Sequence, residues 1–441
     1  MRSLGWDRSG EGGVVQPPSQ RLDFPTTSSF QARTGSVDSS ADQGSEGAAT
    51  KGWWYVIAAI VTPAALALGA QASITRTGVS CGQTLTKSTT LTNDLTNCPG
   101  TGLIVGAGNI TVDLNGHTID GTNNKSGIDN ERHANVKIVN GTITDFRAAG
   151  INLFGARGNV LRKLTVRRIG AGCRKGDICA GIVLFKSPRA SITDNVVSNH
   201  VPAFQVSGID VYNSPGARVE RNRISRNPGQ GIAVFASPRS AVVGNRLDHN
   251  RGGMDASNDS DFIRVAGNHA RGNRDAGIAV GALRGARVLG NTVTGNGDDG
   301  LFLFDLRNSV ARGNRATGNF TGIHLYGGQG GVAQYGGKHG ASGNRLIGNS
   351  ATRNSHAGIW VKGDDRRDSV DDNLVSGNLA DLNGRAGGIV VQVSARGNRL
   401  HGNRANANSG HGITAVHGTI DGGGNRAREN RRNPQCVGVR C

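Results

Sequence analysis

The sequence predicts an all-β protein whose repeats form a parallel β-helix of about 12 to 13 coils with three short strands per coil. Three observations predict this fold. A glycine followed by an apolar residue recurs along most of the chain, a pair of asparagines five residues apart recurs between these steps, and the central spacing of both is 23 residues. The apolar residues alternate over short stretches and do not follow the 3.6-residue period of a helix.

The glycine steps mark one strand in each repeat. In the pattern Gly-Ile-x-φ-z, where φ is apolar, the Ile and φ side chains point inward and those at x and z point outward. The other two strands are predicted before the first asparagine of each pair and between the two asparagines. The steps begin at Gly127, Gly150, Gly181, Gly208, Gly231, Gly253, Gly277, Gly300, Gly322, Gly358, Gly388 and Gly412.

The asparagine pairs are predicted to lie at the turns. Stacked coils place like residues above like at about 4.8 Å, so each side-chain amide can bond to the one in the next coil and form a ladder. Asparagine also tolerates the left-handed backbone that a tight turn needs, and the ladder residues are expected to adopt it. The pairs are 222/227, 245/250, 268/273, 291/296, 314/319, 344/349, 373/378, 398/403 and 425/430.

The composition excludes several classes of protein. Glycine is frequent, with 69 residues, but has no Gly-X-Y period, so the chain is not a collagen. The net charge is +18, which suits nucleic acid, anionic lipid or an acidic polysaccharide as a partner. Helix-turn-helix patterns, zinc fingers and basic runs interleaved with aromatics are absent from the sequence, so nucleic acid is not the expected partner.

The chain divides into five segments. Residues 1–50, rich in Ser, Gly, Pro and Gln, are predicted to be disordered or to come from a start site placed too early. Residues 51–72 hold a lysine, an apolar stretch over 53–70 and an Ala-Gln-Ala end, which predicts a signal peptide or a membrane anchor. An N-terminal cap and first coil over 73–120, the β-helix over 121–430 and a C-terminal cap over 431–441 follow. We therefore expect a protein that is secreted or held at the cell surface.

The cysteines support export. The six cysteines allow 15 pairings, so the sequence does not fix their connectivity, but they lie in three close pairs and local pairing is expected. Disulfides form in oxidising compartments, and none of the pairs has the spacing of a zinc site. The expected pairs are Cys81 with Cys98, Cys173 with Cys179 and Cys436 with Cys441.

Two stretches of the repeat carry a family resemblance. "GIDVYNSPGARVERNRISRN" and "GIAVFASPRSAVVGNRLDHN" resemble the right-handed parallel β-helix repeat of the pectin-lyase-like superfamily, and "CGQTLTKSTTLTNDLTNCPGTGLIVGAGNITVDLNGHTIDG" resembles the start of its secreted bacterial members. The resemblance covers roughly 81–430 and implies a right-handed helix with a groove along the outer face of the glycine-step strands. It does not imply one activity, because this fold carries lyases, hydrolases, epimerases and binding modules.

Aromatic side chains follow the outward positions of these strands. Only 4 % of the chain is aromatic, yet most of the early z positions are. The first interpretation is a platform on which sugar rings stack, and the alternative is a ladder of rings that stabilises neighbouring coils. The candidate substrate-binding residues are Tyr212, Phe235, Phe304, Tyr326, Trp360 and Lys362.

Acidic residues on the same side supply the catalytic candidates, which are Asp275, Asp298, Asp299 and His324. Paired carboxylates suit glycoside hydrolysis, or Ca²⁺ binding beside a base in a lyase. In the polygalacturonase pattern, Asn-x-Asp precedes Asp-Asp by one coil and Gly-His-Gly follows one coil later, which resembles 273–275, 298–299 and position 324 only in part. The alternative interpretation is solvated turn carboxylates, a group that also includes Asp210, Asp255, Asp305, Asp364 and Asp365.

The sequence thus predicts an exported β-helix protein that binds, and in one version of the hypothesis processes, an extracellular polysaccharide, most readily an acidic one. A non-catalytic structural or adhesive surface protein is the first alternative, and a polygalacturonase-like hydrolase or polysaccharide lyase is the second. No cofactor and no metal ligand set is expected, although the carboxylates could hold Ca²⁺. A monomer is expected, without nucleic acid, and with a membrane contact only through residues 53–70 if they are not cleaved.

Overall fold

The computed structural model describes residues 75–174, 177–201, 205–328, 340–363, 369–392 and 395–441. These residues form a parallel β-solenoid, and no helix occurs among them. Accordingly, this part of the chain contains no helix long and apolar enough to cross a membrane. The predicted extension at 1–50 and the predicted signal or anchor at 51–72 lie outside the described residues.

Sheet 1 contains the glycine-step strands. Among the described residues it stacks fifteen strands, each parallel to the next. They are Gln83–Leu85, Leu103–Val105, Ser126–Glu131, Ala149–Phe154, Ala180–Phe185, Ser207–Tyr212, Gln230–Phe235, Gly252–Ser257, Ile278–Arg284, Leu301–Arg307, Thr321–Gly327, Ala357–Gly363, Gly387–Val391, Ile413–Ala415 and Cys436–Val437. Two short strands, Gly340–Ser342 and Ser369–Asp371, pair with each other and extend this sheet beside Arg307.

Sheet 2 follows sheet 1 in each coil. Its strands are Thr75–Thr77, Thr89–Leu91, Thr111–Asp113, Ser191–Thr193, Arg218–Glu220, Ala241–Val243, Arg264–Ala266, Arg287–Leu289, Val310–Arg312, Arg345–Ile347, Leu374–Ser376, Arg399–His401 and Ile420–Asp421. The longer strands Lys137–Thr144 and Val160–Arg167 pass through sheet 2 and continue into the next sheet.

Sheet 3 closes each coil. Its remaining strands are Leu95–Cys98, Thr118–Gly121, Val196–Ser198, Arg223–Ser225, Arg246–Asp248, His269–Arg271, Thr292–Thr294, Arg315–Thr317, Ser350–Thr352, Arg404–Asn406 and Arg426–Arg428. Leu379 bridges Ser350 and Arg404 in the coil that has no full strand here.

The solenoid has about 14 turns, more than the 12 to 13 predicted from the glycine steps. The difference arises at the ends, because the strands at 83–85 and 436–437 lack a glycine-apolar step and the step at Gly102-Leu103 was not among the twelve counted. The all-β class and the parallel coils with three strands are otherwise confirmed.

The core is a stack of aliphatic side chains inside the coils. Ile209 lies in register with Ile232, Val211 lies in register with Val234, and all four side chains are fully buried. Steric crowding explains why a glycine precedes each isoleucine. A Cβ on Gly208 would lie 2.5 Å from the carbonyl oxygen of Gly231, so only glycine fits this corner without moving the next coil.

The asparagine ladder is present. In one column the side-chain nitrogen of each asparagine donates to the side-chain oxygen of the next at 2.9–3.1 Å, from Asn222 through Asn245, Asn268, Asn291, Asn314, Asn349, Asn378 and Asn403 to Asn425. The same oxygen accepts the backbone N–H of the asparagine one coil earlier. Each buried amide is therefore satisfied only by its neighbours in the stack.

Two details of the predicted ladder are wrong. The left-handed residue is the one before each first asparagine, such as Gly244, Gly267 and Gly290, and not the asparagine itself. The pairing also shifts after residue 319, since Asn314 meets Asn349 and not Asn344. The later coils carry three asparagines each, and Asn344 stacks on Ser309 in a third column. The asparagine pairs predicted for these coils therefore do not occupy the same two columns as the pairs of the earlier coils.

The three local cysteine pairs form disulfides. Their Cα–Cα distances are 5.4 Å for Cys81–Cys98, 6.5 Å for Cys173–Cys179 and 6.1 Å for Cys436–Cys441. The first pair lies where the early coils begin, and the last lies beside the final strand of sheet 1. This pattern confirms the expected local connectivity.

Candidate functional site

The outer face of sheet 1 presents two columns of side chains over three consecutive coils. Phe302 lies in register with His324, and His324 with Trp360. In the neighbouring column, Phe304 lies in register with Tyr326, and Tyr326 with Lys362. The alternation of the strand directs both columns away from the aliphatic core, so these side chains meet on one surface.

A histidine and an aspartate form a hydrogen-bonded pair on this surface. The Nδ1 atom of His324 lies 2.8 Å from Oδ2 of Asp299, and the two side chains are 11 % and 8 % exposed. Asp299 precedes the glycine step of one coil, and His324 follows the step of the next. A carboxylate only accepts, so Nδ1 of His324 is the donor to Asp299, and in the neutral form of the imidazole the lone pair is then on Nε2.

Aromatic rings enclose this pair. The imidazole stacks on Trp360 with centroids 4.7 Å apart and an interplanar angle of 12°. Phe302 and Tyr326 lie 5.5 Å and 5.4 Å from it in tilted arrangements, and Phe304 stacks on Phe302 at 5.1 Å. We call this set the aromatic cluster; it comprises Phe302, Phe304, His324, Tyr326 and Trp360.

Several buried polar atoms in the cluster lack a protein partner. They are Nε2 of His324, Nε1 of Trp360 and the hydroxyl oxygen of Thr321. Thr321 and His324 belong to the same strand, and Trp360 lies in register with His324 in the next coil. Buried polar groups are nearly always hydrogen-bonded, so donors and an acceptor gathered in one place favour a polar ligand.

Asp298 and Asp275 lie at the edge of this site. Partial burial raises the pKa of Asp298, and the negative charge of Asp299 raises it further. Asp275 is half-buried and forms an ion pair with Arg251 at 3.0 Å. Of the four catalytic candidates, the structure therefore brings Asp298, Asp299 and His324 together and places Asp275 in a surface ion pair.

Lys362 supplies a cation to the site, and His356 adds a second imidazole. The Lys362 ammonium lies 5.3 Å from the centroid of the Trp360 ring. His356 contacts the edge of Trp360 at 4.8 Å and stacks on Phe320 at 4.9 Å. Burial lowers the pKa of His356, and the charge of Asp299 opposes that shift.

The other two aromatic candidates lie elsewhere. Tyr212 and Phe235 stack on each other at 5.2 Å, and Ser257 and Gly281 separate them from Phe304 along the column. Phe154 and Phe185 form a similar pair at 5.5 Å. These isolated pairs match the predicted ladder of rings between coils better than a sugar platform.

Two buried carboxyls flank the Tyr212 pair. Burial raises the pKa of Asp210 to about 7 and that of Asp255 to about 6. Ala233 separates them in register, so they lie two coils apart. Burial and both carboxyls raise the pKa of Tyr212.

Phe302, Phe320 and His356 belong to the site but were not among the predicted site residues. Phe302 could have been found, because it occupies an outward position next to His324. Phe320 and His356 were hidden by the insertion between residues 327 and 340, which separates the two rings by 36 residues in place of the usual 23.

The remaining acidic candidates within the described residues do not join the site. A side-chain oxygen of Asp305 accepts the backbone N–H groups of Gly328 and Gly340, and so fixes the two ends of that insertion. Asp364 and Asp365 lie outside the described residues. Within the described ranges, the only grouping with metal-ligand geometry is Cys173, Asp177 and Cys179, whose sulfurs are already joined in a disulfide.

Comparison with known proteins gives a family and a set of similar folds. The family model described as "Right handed beta helix region" matches residues 78–200, 172–315, 263–338 and 337–431. No curated protein sequence matches the chain.

Similar solved structures include the A-module of the Azotobacter vinelandii mannuronan C-5 epimerase AlgE6, with 13 % identity, a TM-score of 0.45 and coverage of 84 % of this chain and 92 % of that one. The tailspike protein of E. coli bacteriophage HK620, in complex with a pentasaccharide, has 12 % identity, a TM-score of 0.44 and coverage of 83 % and 71 %. At these identities the likeness concerns the fold alone. With matched segments that run from 78 to 431, the chain belongs to the right-handed β-helix family.

Proposed function

We propose that the chain binds a polysaccharide along the outer face of sheet 1 and processes it at His324. The observation that carries this proposal is the Asp299–His324 pair inside the aromatic cluster. Aromatic faces stack on sugar rings, and the unpartnered polar atoms of Thr321 and Trp360 suit sugar hydroxyls.

In this proposal His324 acts as a general base. Asp299 holds the Nδ1–H and thereby leaves Nε2 to take a proton, either from a water that attacks the glycosidic carbon or from a sugar carbon next to a carboxylate. Asp298 suits the role of proton donor to the departing oxygen, because its raised pKa keeps it protonated to higher pH than an ordinary aspartate. No cofactor enters these steps, and Ca²⁺ at the carboxylates remains a prediction.

We further propose that the protein is exported. The three disulfides support this, since such bonds persist in oxidising compartments. The structural or adhesive alternative is favoured by the stacked pairs Phe154–Phe185 and Tyr212–Phe235, which stabilise coils without forming an enclosed site.

The test is turnover and binding of acidic and neutral polysaccharides by the full chain and two variants. His324→Gln should lower turnover by about 100-fold or more while sugar binding persists. His249→Gln, an exposed histidine in a distant turn, is the control and should match the wild type.

Product analysis identifies the reaction, because elimination leaves an ultraviolet-absorbing unsaturated sugar and hydrolysis does not. Trp360→Ala should weaken polysaccharide binding whether the reaction is elimination or hydrolysis. Wild-type turnover in His324→Gln would remove the catalytic assignment, and unchanged affinity in Trp360→Ala would remove the binding assignment.

A further inference from the structure

The outer face of sheets 2 and 3 carries a second charged surface, which none of the preceding assignments uses. Exposed basic side chains gather there over consecutive coils, between the strands that begin at residues 264 and 345. We call this surface the basic strip; it comprises Arg264, Arg287, Arg312 and Arg345 on sheet 2, and His269, Arg271 and Arg315 on sheet 3.

The arginines of the basic strip have no acidic partner among the described residues. Arginines in earlier coils do have one, since Arg218 pairs with Glu220, Arg221 with Asp194 and Arg246 with Asp248. The sequence of sheet 2 contributes to this difference in ion pairing. The third position of its strands is the acidic Glu220 in one coil, but in the next four coils it is Val243, Ala266, Leu289 and Arg312.

Stacking concentrates these charges. Arg264 lies directly opposite Arg287 in the parallel register, at the spacing of one coil. Like charges at opposed positions of neighbouring strands are destabilising, so an anion laid across them would relieve that repulsion. A shallow pocket on sheet 3 includes part of the strip; it is lined by Arg246, Asp248, His269, Ala270, Arg271, Thr292 and Thr294.

We propose that the basic strip binds an acidic polysaccharide aligned with the axis of the solenoid. Each of four successive coils carries one of these arginines, at about 4.8 Å per coil along the axis. Arg264, Arg287 and Arg345 share one column, whereas Arg312 lies two strand positions away because Val310 occupies that column in its coil. The carboxylates of an extended polyuronate follow one another at a similar spacing, so they can contact one arginine per coil. Guanidinium groups bind carboxylates through paired hydrogen bonds. The strip lies on a different sheet from His324, so it would hold a polymer without entering the proposed reaction.

The chemistry of this face favours a polysaccharide over other anionic partners. Binding of single-stranded nucleic acid relies on rows of aromatic rings that stack on successive bases. The described strands 264–266, 269–271, 287–289, 310–312, 315–317 and 345–347 contain no Phe, Tyr or Trp, and their one ring is the imidazole of His269. Insertion into an anionic membrane needs exposed large apolar side chains, and the exposed ones in the described part of the chain, such as Phe262 and Phe320, lie outside these strands.

The experiment measures binding of polygalacturonate to the full chain by calorimetry at low and high salt. The strip variant carries four substitutions, Arg264→Gln, Arg287→Gln, Arg312→Gln and Arg345→Gln. It should bind polygalacturonate about tenfold more weakly than the wild type at low salt, and its affinity should depend less on salt. The control removes four exposed arginines elsewhere, Arg132→Gln, Arg157→Gln, Arg189→Gln, Arg239→Gln, and has the same net charge. Circular dichroism verifies folding. A version with lysine at the four strip positions keeps the charge but loses the paired hydrogen bonds, so it should bind more tightly than the glutamine variant and more weakly than the wild type.

Each outcome decides the proposal. The proposal is supported if the strip variant loses affinity and the control variant does not. This holds even if His324→Gln and Trp360→Ala bind and fold as the wild type does, so the proposal can be tested independently of the proposed function. An equal loss in the control, or no loss in either variant, overturns it. Binding to duplex DNA or to phosphatidylglycerol vesicles in preference to polygalacturonate overturns it as well, in favour of that other partner.

Discussion

At the scale of single residues, the contact that matters most for the proposed reaction is the hydrogen bond between Asp299 and His324. An imidazole enclosed by Trp360, Phe302 and Tyr326 is shielded from water, so the carboxylate at Nδ1 alone determines which nitrogen carries the proton. Asp299 is therefore a positioning residue, and its removal should change the tautomer of His324 as well as the rate.

Asp299→Asn tests this role. The side-chain amide of asparagine can donate to Nδ1, which moves the imidazole proton to Nε2 and removes the base. We expect turnover to fall by about 100-fold or more, and the nitrogen-15 shifts of His324 in nuclear magnetic resonance spectra to exchange their protonated and unprotonated values. Unchanged nitrogen shifts together with lost turnover would assign Asp299 a different role.

The buried carboxyls Asp210 and Asp255 should make stability depend on pH. Their folded-state pKa values, about 7 and about 6, exceed the ordinary value of about 4, so between these limits the unfolded chain is ionised while the folded chain keeps its protons. The free energy of unfolding should therefore fall as pH rises from about 4 to about 7, by up to about 1.4 kcal/mol per pH unit for each carboxyl.

Chemical denaturation across this pH range measures the effect. The double variant Asp210→Asn, Asp255→Asn should flatten the slope and be more stable than the wild type near neutral pH. Asp372→Asn, at an exposed turn, is the control and should leave the slope unchanged. A wild-type stability that rises over the same range would contradict the expectation.

At the scale of structural elements, the asparagine ladder holds the turns together. Asn268 accepts bonds from the backbone and the side chain of Asn245, and it donates to the carbonyl of Val242 and to Asn291. Every one of these groups is buried, so each link of the ladder depends on the one beside it.

Asn268→Ala should therefore lower the free energy of unfolding by about 3 kcal/mol. It leaves the backbone N–H of Asn245 buried without an acceptor and removes one of the two acceptors of the Asn245 side-chain amide. Thermal and urea denaturation measure the change. Asn152→Ala serves as the control, since this half-buried asparagine lies on a strand of sheet 1 outside the ladder, and it should stay within about 0.5 kcal/mol of the wild type. Equal effects of the two substitutions would show that the ladder adds no stability.

At the scale of the whole molecule, a solenoid must close its ends because each coil is stabilised only by its neighbours. The Cys81–Cys98 disulfide closes a loop with a sequence separation of 17 residues in the first coils, whereas Cys436–Cys441 closes a separation of 5 at the last. The longer loop should restrict the unfolded chain more.

Replacement of Cys81 and Cys98 by serine should cost about 3 kcal/mol of unfolding free energy, and replacement of Cys436 and Cys441 should cost about 1 kcal/mol less. Denaturant titration of the two double variants, with non-reducing peptide mapping of the wild type, tests this order. A larger loss from the C-terminal pair would indicate that the final coil limits stability.

The sequence by itself determined the all-β class and the parallel stacking, whereas it favoured local cysteine pairs without fixing them. The physical reason is that a repeat of constant length puts like residues in register, so the glycine corner at Gly208 and the ladder from Asn222 to Asn314 follow from spacing alone. The outward placement of His324 and Tyr326 follows from strand alternation in the same way.

Only the tertiary structure decided which residues meet across an interrupted period. The insertion after Gly327 moved the ladder partner of Asn314 from Asn344 to Asn349, and it brought His356 onto Phe320. The bond from Asp299 to His324 and the burial of Asp210 depend on side-chain packing between coils, which periodicity does not specify. Spacing fixes the height of a residue in the stack, whereas its contacts depend on the shapes of all the side chains around it.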